Sequence, residues 1–109
     1  MALTYKVLGQ VSPAAITNTD LYTTPAATST VASTLTICNT GVNVTNVRVA
    51  VRPAGAALSN EHYIVYNNTV GISDTLFLTI GLSLATTDVV TVYSSNAAVT
   101  FNLFGSEIQ

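Results

Sequence analysis

Residues 75–84 read Thr-Leu-Phe-Leu-Thr-Ile-Gly-Leu-Ser-Leu, and a large aliphatic side chain stands at every second position of this stretch. A period of two places successive side chains on opposite faces of an extended chain, which is the pattern of a β-strand with one buried face. Gly81 lies inside this run and indicates a bulge or a bend. The same alternation recurs at residues 47–51 and 99–103, so we expect a fold built from strands.

Turn-forming residues separate these runs, as at Asn39-Thr40-Gly41, Arg52-Pro53-Ala54-Gly55 and Asn67-Asn68-Thr69-Val70-Gly71. We predict strands at about residues 4–10, 19–23, 30–38, 44–52, 62–67, 75–84, 89–94 and 98–104. Eight short strands leave no room for the helical crossovers that parallel strands need. The sequence therefore predicts an all-β fold, a single antiparallel β-sandwich over residues 1–109, of jelly-roll or immunoglobulin-like type.

Two segments depart from the alternating pattern. Residues 12–33 are rich in Ala, Thr, Ser and Pro, and they form either an extended arm on a neighbouring subunit or a long surface loop around one short strand. Residues 104–109 follow the last predicted strand, and we expect them to form a short C-terminal tail. Its apolar side chains, Phe104 and Ile108, would dock on a neighbour.

The scarcity of charge is the strongest signal in the composition. Only 7% of the residues are charged, 49% are hydrophobic, and the mean hydropathy is +0.50. A soluble domain usually carries roughly a quarter charged residues, spread over its surface with both signs. No apolar run approaches the ~18 residues of a spanning helix, so we expect no membrane segment. The sequence favours a subunit that packs against other subunits in an assembly.

The charge balance and the reactive side chains exclude several classes of function. A net charge of −2, with Lys6, Arg48 and Arg52 as the only cations, argues against a nucleic-acid-binding protein. Cys38 and His62 are each the only residue of their type, and no nucleophile signature surrounds either. The carboxylates are scattered and form no calcium-binding loop. We therefore predict no catalytic residues, no metal ligands, no cofactor and no enzyme activity.

The candidate partner-binding residues are Arg48, Arg52, Phe104, Glu107 and Ile108. Arg48 and Arg52 share one face of a predicted strand, where they either pair with acidic groups of a partner or lie on a solvated face. Tyr63 and Tyr66 lie three positions apart in another strand, so we expect them on opposite faces. A shared aromatic platform for sugar binding is therefore not expected.

The C-terminal half resembles a known group of proteins. It contains Thr87-Asp88-Val89-Val90-Thr91-Val92-Tyr93-Ser94-Ser95-Asn96 and ends Val99-Thr100-Phe101-Asn102-Leu103-Phe104-Gly105-Ser106-Glu107-Ile108. These stretches, within residues 62–109, are similar to small virion structural proteins of tailed bacteriophages, especially those of cyanobacterial and marine phages. The resemblance implies a β-sandwich subunit of a particle, with no enzyme activity.

The resemblance and the composition together lead to one expected function and two alternatives. We expect a capsid decoration (cement) protein, a homo-oligomer that is a trimer or a dimer, which binds the major capsid protein on the outer surface of the phage head and stabilises it. The first alternative is a tail, baseplate or fibre-joining subunit, and the second is a host-surface or carbohydrate-binding β-sandwich module. The N-terminal sequence lacks a secretory signal, so we expect synthesis in the host cytoplasm before incorporation into the virion.

Overall fold

The computed structural model describes residues 2–109, and strands dominate it. The eight strands are β1 (Leu3–Val11), β2 (Thr19–Thr23), β3 (Ser29–Asn39), β4 (Thr45–Arg52), β5 (Tyr63–Val70), β6 (Thr75–Leu84), β7 (Val89–Ser94) and β8 (Val99–Ile108). Two short 3₁₀ turns, Pro53–Gly55 and Asn60–His62, lie in the connection between β4 and β5. The predicted all-β class and the eight strands are confirmed.

The strands form two four-stranded antiparallel sheets. The front sheet has the order β1-β8-β3-β6, and the back sheet has the order β2-β7-β4-β5. The chain pairs first with last, second with seventh, third with sixth and fourth with fifth, which is the jelly-roll arrangement. Of the two sandwich types expected from the sequence, the structure therefore has the jelly roll.

The hydrophobic core fills the space between the two sheets. Its largest fully buried side chains include Phe101, Leu35, Ile37 and Leu103 from the front sheet, and valines such as Val49 from the back sheet. The alternating sequence pattern produces this core, because one side chain in two along each strand points inward. The register of β3 with β6 shifts between Ala32 and Thr34 across from the segment that contains Gly81, which confirms the expected irregularity there.

The last strand corrects the prediction of a C-terminal tail. β8 continues to Ile108 and lies inside the front sheet, where it pairs with β1 on one side and with β3 on the other. Phe104 lies opposite Val7 and Thr34, and Glu107 lies opposite Thr4 and Thr30. Residues 104–108 are therefore part of the sheet, and the expected tail at 104–109 is wrong.

Residues 12–33 take the second of the two forms that the sequence left open. They contain β2, which pairs with β7, and the first part of β3, which pairs with β8. Leu21 and Tyr22 are buried in the core, and the backbone of Ile16 donates a hydrogen bond to the carbonyl of Ser94. The segment therefore packs on its own sandwich, and the extended arm is not observed.

Candidate interaction surfaces

The outer face of the front sheet carries no charged side chain. The four strands of this sheet contain only two charged residues, Lys6 and Glu107. The carboxylate of Glu107 is buried and bonds to Tyr22 of the other sheet, and Lys6 bonds to that same carboxylate. Both charged groups therefore make their contacts on the inner side of the sheet. The outer face consists of apolar, hydroxyl and amide side chains.

Large apolar side chains are exposed across this uncharged face. The exposed fraction is 80% for Tyr5 and 70% for Phe77, and Leu3, Val7 and Val31 are also exposed. Phe104 and Ile108 face the same side from the central strand β8, and both are half-buried. A group of exposed apolar side chains on one sheet face marks an interaction surface better than scattered single residues do.

The outer face of the back sheet has a different character, because aromatic rings surround an arginine there. The guanidinium carbon of Arg48 lies 4.6 Å from the ring centre of Tyr66 and 4.4 Å from that of Tyr93. The Nε of Arg48 donates a hydrogen bond to Oδ1 of Asn67 at 2.7 Å. Tyr63 meets Tyr66 edge to face, with ring centres 4.9 Å apart. The four side chains form a continuous stack, which we call the tyrosine–arginine stack (Tyr63, Tyr66, Arg48 and Tyr93).

The stack contradicts the prediction that Tyr63 and Tyr66 lie on opposite faces. The register of β4 with β5 shifts twice, between Val47 and Val49 and between Val49 and Ala50. Asn67 adopts a positive φ of 53°, a conformation that asparagine tolerates better than most residues. Extra residues in β5 re-aim the side chains that follow, so the two rings come together on the outer side.

Arg52 lies on the same face of β4 as Arg48, as the sequence predicts, but its guanidinium makes different contacts. Its Nη2 bonds to Oδ1 of Asp20 at 3.0 Å, and its Nε bonds to the hydroxyl of Thr91 at 2.9 Å. Its Nη1 donates to the backbone carbonyls of Gly55 and Ala56. Every nitrogen of the Arg52 guanidinium therefore has a partner within the chain, and Arg52 fixes the connection between β4 and β5 to the sheet.

Glu107, which the sequence suggested as a partner-binding residue, joins the two sheets internally. Tyr22 donates to Oε2 of Glu107 at 2.5 Å, the hydroxyl of Thr30 lies 2.8 Å from that of Tyr22, and Nζ of Lys6 lies 3.2 Å from Oε1. The hydrogen bond from Tyr22 is the main cause that holds the pKa of Glu107 below its usual value. Burial raises the pKa of Tyr22 to about 12, and the bond to Glu107 adds to the rise.

The structure places Cys38 and His62, the only cysteine and the only histidine of the chain, far apart. Cys38 is the second-last residue of β3, near the β3–β4 turn, whereas His62 directly precedes β5 at the opposite end of the sandwich. Within residues 2–109, no group of three or more histidine, cysteine or acidic side chains is placed to hold a metal ion. No helix in this part of the chain is long and apolar enough to cross a membrane.

Comparison with known proteins gives no further guide to these surfaces. No protein-family model matches the chain, and no curated protein is similar enough to count as a relative. The two surfaces are therefore characterised by their side chains alone. One sheet has an uncharged apolar outer face, and the other has the tyrosine–arginine stack.

Proposed function

We propose that this chain is a non-enzymatic virion structural protein, a capsid decoration protein that binds the outer surface of a phage head and stabilises it. The observation that carries the proposal is the uncharged outer face of the front sheet, with Tyr5 and Phe77 exposed on it. A rigid sheet that presents apolar side chains without charges suits a contact that must exclude water over a broad area.

The dimensions of the molecule are adequate for such a contact. Its extents are 45 × 27 × 19 Å, so its broad faces measure up to 45 by 27 Å. A stable interface between proteins buries about 800 Å² on each partner, which fits within one such face. Many copies on one particle would add their contacts, and a protein that binds only the assembled shell stabilises that state by mass action.

The fold supports the proposal by analogy alone. Jelly rolls occur in viral capsid proteins, and they also occur in lectins and cupins, so the fold by itself selects no function. What favours the virion among these classes is the combination of the uncharged face with the expected resemblance of the C-terminal half to small phage structural proteins. Counting the copies of this chain in purified particles distinguishes a location in the tail or baseplate from one on the head.

Quantitative mass spectrometry of purified particles tests the location directly. A ratio to the major capsid protein near one to one, or a simple fraction of it, is the expected result for a decoration protein. A ratio of a few per cent would assign the chain to the tail or baseplate, and its absence from particles would refute the virion role.

A binding assay on particles that lack this chain tests the face itself. The double variant Tyr5→Ser and Phe77→Ser is expected to remain folded and to lose binding to the particles. Ile16→Ser is the matched control, because Ile16 is 72% exposed but lies in the β1–β2 loop, away from the face. Unchanged binding by the double variant would show that another surface makes the contact.

The tyrosine–arginine stack favours a second candidate function, a carbohydrate-binding module. Tyr63, Tyr66 and Asn60 border an open hollow of about 410 Å³, which lies within the size range of small-ligand sites. Titration with neutral and acidic oligosaccharides, observed by shifts of the tyrosine ring signals in NMR spectra, tests it. Shifts confined to these rings and abolished in Tyr66→Ala would support a sugar site.

A further inference from the structure

Arg48 lies on the outer face of the back sheet, between tyrosine rings from the two neighbouring strands. It projects from the inner strand β4 and is paired directly with Tyr93 of β7. Its guanidinium carbon lies 4.4 Å from the ring centre of Tyr93 and 4.6 Å from that of Tyr66 on β5, and its Nε donates to Oδ1 of Asn67. Two cation–π contacts and one hydrogen bond therefore fix the guanidinium.

The terminal nitrogens of this guanidinium have no partner within the chain. Neither Nη atom of Arg48 donates a hydrogen bond to any residue in 2–109, and no ion pair in that range includes Arg48. The only buried polar side-chain atom without a partner in the same range is Oγ1 of Thr24, so both Nη atoms of Arg48 are accessible to solvent. Because Asn67 occupies Nε, the free edge is the pair of Nη atoms, and a carboxylate accepts two parallel N–H groups from such an edge.

Arg48 is also the only charged side chain of the back sheet that lacks an opposite charge. The four strands of this sheet contain Asp20, Arg48 and Arg52, and Asp20 pairs with Arg52. Glu61, in the turn before β5, makes its contacts within that turn, where its own backbone amide and the hydroxyl of Ser59 hold its pKa below the usual value. One unmatched cation suits the single charge of a carboxylate better than the charge of about −2 of a phosphate group, and a nucleic acid requires a row of basic side chains.

A hollow of about 410 Å³ adjoins the guanidinium through the ring of Tyr66. Asn60, Tyr63 and Tyr66 border it, and the two rings meet edge to face with their centres 4.9 Å apart. Aromatic rings offer an apolar surface for the C–H face of a sugar ring, and the Asn60 amide both donates and accepts hydrogen bonds, as sugar hydroxyls require. An acidic side chain of a peptide would satisfy Arg48 but leave this hollow empty. The combination therefore favours a carboxylate attached to a ring-sized body.

We propose that the tyrosine–arginine stack binds an acidic saccharide, in which a sugar unit carries a carboxylate. The carboxylate accepts hydrogen bonds from both Nη atoms of Arg48. The sugar ring packs against Tyr63 and Tyr66, with a hydroxyl bonded to Asn60. The proposal rests on the carbohydrate-binding function named above, and it makes Arg48 the residue that selects acidic over neutral sugars.

This site and the uncharged front face lie on opposite outer faces of the sandwich. A chain bound to a particle through its front sheet would keep the stack exposed to the surroundings. The two functions are therefore compatible, and each is measured without the other, because one assay uses particles and the other uses saccharides alone.

Titration of the chain with matched pairs of saccharides tests the proposal. The probes are short oligosaccharides of galacturonic, glucuronic, mannuronic or sialic acid, each compared with its methyl ester, which keeps the ring and the hydroxyls but removes the charge. At least one acid is expected to shift the ring signals of Tyr63 and Tyr66 in NMR spectra. Its methyl ester is expected to bind more weakly by about tenfold or more, since the lost hydrogen bonds involve a charge. Added salt should weaken binding of the acid and leave that of the ester unchanged.

Variants of the chain separate the charge from the hollow. Arg48→Gln should lower the affinity for that acid by about tenfold or more and leave the affinity for the ester nearly unchanged. Tyr63→Ala keeps both ring contacts of Arg48 and should weaken acid and ester alike. Glu61→Gln removes a neighbouring acid and should bind at least as tightly as the wild type, and Tyr5→Ala, on the other sheet, is the control with unchanged affinity. The comparison of acid with ester stays decisive even where Arg48→Gln fails to fold.

The outcomes distinguish this proposal from the functions on which it builds. An ester that binds as tightly as its acid, or an acid whose affinity does not depend on Arg48, would overturn the proposal and leave a neutral sugar site. Binding of none of these saccharides would overturn both the proposal and the carbohydrate-binding function, whereas the decoration role depends on the particle assay. Equal binding of an acidic peptide, such as oligoglutamate, with the same dependence on Arg48 would overturn the proposal in favour of a protein partner.

Discussion

Replacement of Tyr22 by phenylalanine should destabilise the fold far more than its single lost oxygen suggests. Tyr22 is 8% exposed and Glu107 is 5% exposed, so their hydrogen bond is buried and involves a charge. Loss of a hydrogen bond to a charged group costs about 1.5–3 kcal/mol, and the buried hydroxyl of Thr30 loses a partner worth about 1 kcal/mol. We therefore expect Tyr22→Phe to lower the free energy of unfolding by about 2–4 kcal/mol, out of a total of about 5–15 kcal/mol.

The pH dependence of this loss has a definite sign. The folded pKa of Glu107 is depressed below 4.5, so its contribution is present above that value and is lost as the pH falls through the folded pKa. The folded pKa of Tyr22 is raised from 10.0 to about 12, so its contribution is lost as the pH rises through that interval. The difference in the free energy of unfolding between wild type and Tyr22→Phe should therefore be largest at pH values between the pKa of Glu107 and the ordinary pKa of tyrosine. It should become smaller in acid and in strong alkali.

Urea denaturation at pH 7, at pH 3 and above pH 10, with unchanged m-values, measures these differences. Lys6→Met is the comparison variant, because the Lys6 side chain is 45% exposed and such an ion pair contributes less than about 1 kcal/mol. A Tyr22→Phe protein within about 0.5 kcal/mol of wild type at pH 7 would refute the reasoning. A large difference that does not change with pH would also refute it, because the charge of Glu107 would then play no part.

Three further predictions concern the fold. Phe101→Ala empties the largest fully buried site and should cost about 3–5 kcal/mol in the free energy of unfolding, measured in urea. Asn39→Leu should cost about 2–3 kcal/mol, because the buried amide bonds to the carbonyls of Asn43 and Val70, which the variant leaves unpaired. Gly105→Ala should lower the melting temperature sharply, since its Cβ would overlap the carbonyl oxygen of Val31. Gly81→Ala is the control, because its Cβ would meet nothing within 4 Å, and it should leave the melting temperature nearly unchanged.

The alternation of apolar residues predicts most strands because each strand buries one face. The observed bounds of β6, Thr75–Leu84, and of β7, Val89–Ser94, agree with the predicted ones. Alternation reports only contacts along one strand, so it could not choose between the jelly-roll and immunoglobulin-like orders. That choice depends on pairings between residues far apart in the sequence, such as Leu3 with Ile108.

The end of β8 was missed because its inward positions stop being apolar. After Leu103 the inward residues are Gly105 and Glu107. Glycine is needed where the backbone of β3 approaches closely, and Glu107 is accommodated because Tyr22 and Lys6 bond to it. A pattern of apolar residues cannot anticipate a buried carboxylate whose partners lie 85 and 101 positions away.

The tyrosine–arginine stack was missed for a related reason. The Asn67-Asn68 pair predicts a turn, since asparagine adopts positive φ easily, and Asn67 does so. In the structure this conformation lies within β5, which continues to Val70, and it changes which side chains share a face. The Asn67-Asn68 pair therefore predicted the end of a strand, whereas in the structure it marks an irregularity within β5. An asparagine pair in an otherwise β-like run is the feature that could have indicated it.

The location of the charges supports assembly more strongly than their small number does. The chain has three basic and five acidic side chains, and two ion pairs and two turn-capping aspartates use six of these eight groups. These six fix elements of the fold. The two that remain are Arg48, on the outer face of the back sheet, and Glu61, in the turn before β5. The outer face of the front sheet receives none, although hydroxyl and amide residues keep it from being wholly apolar. A surface of that kind tolerates water and binds well only when a matching surface covers it, which is the behaviour that an assembly subunit requires.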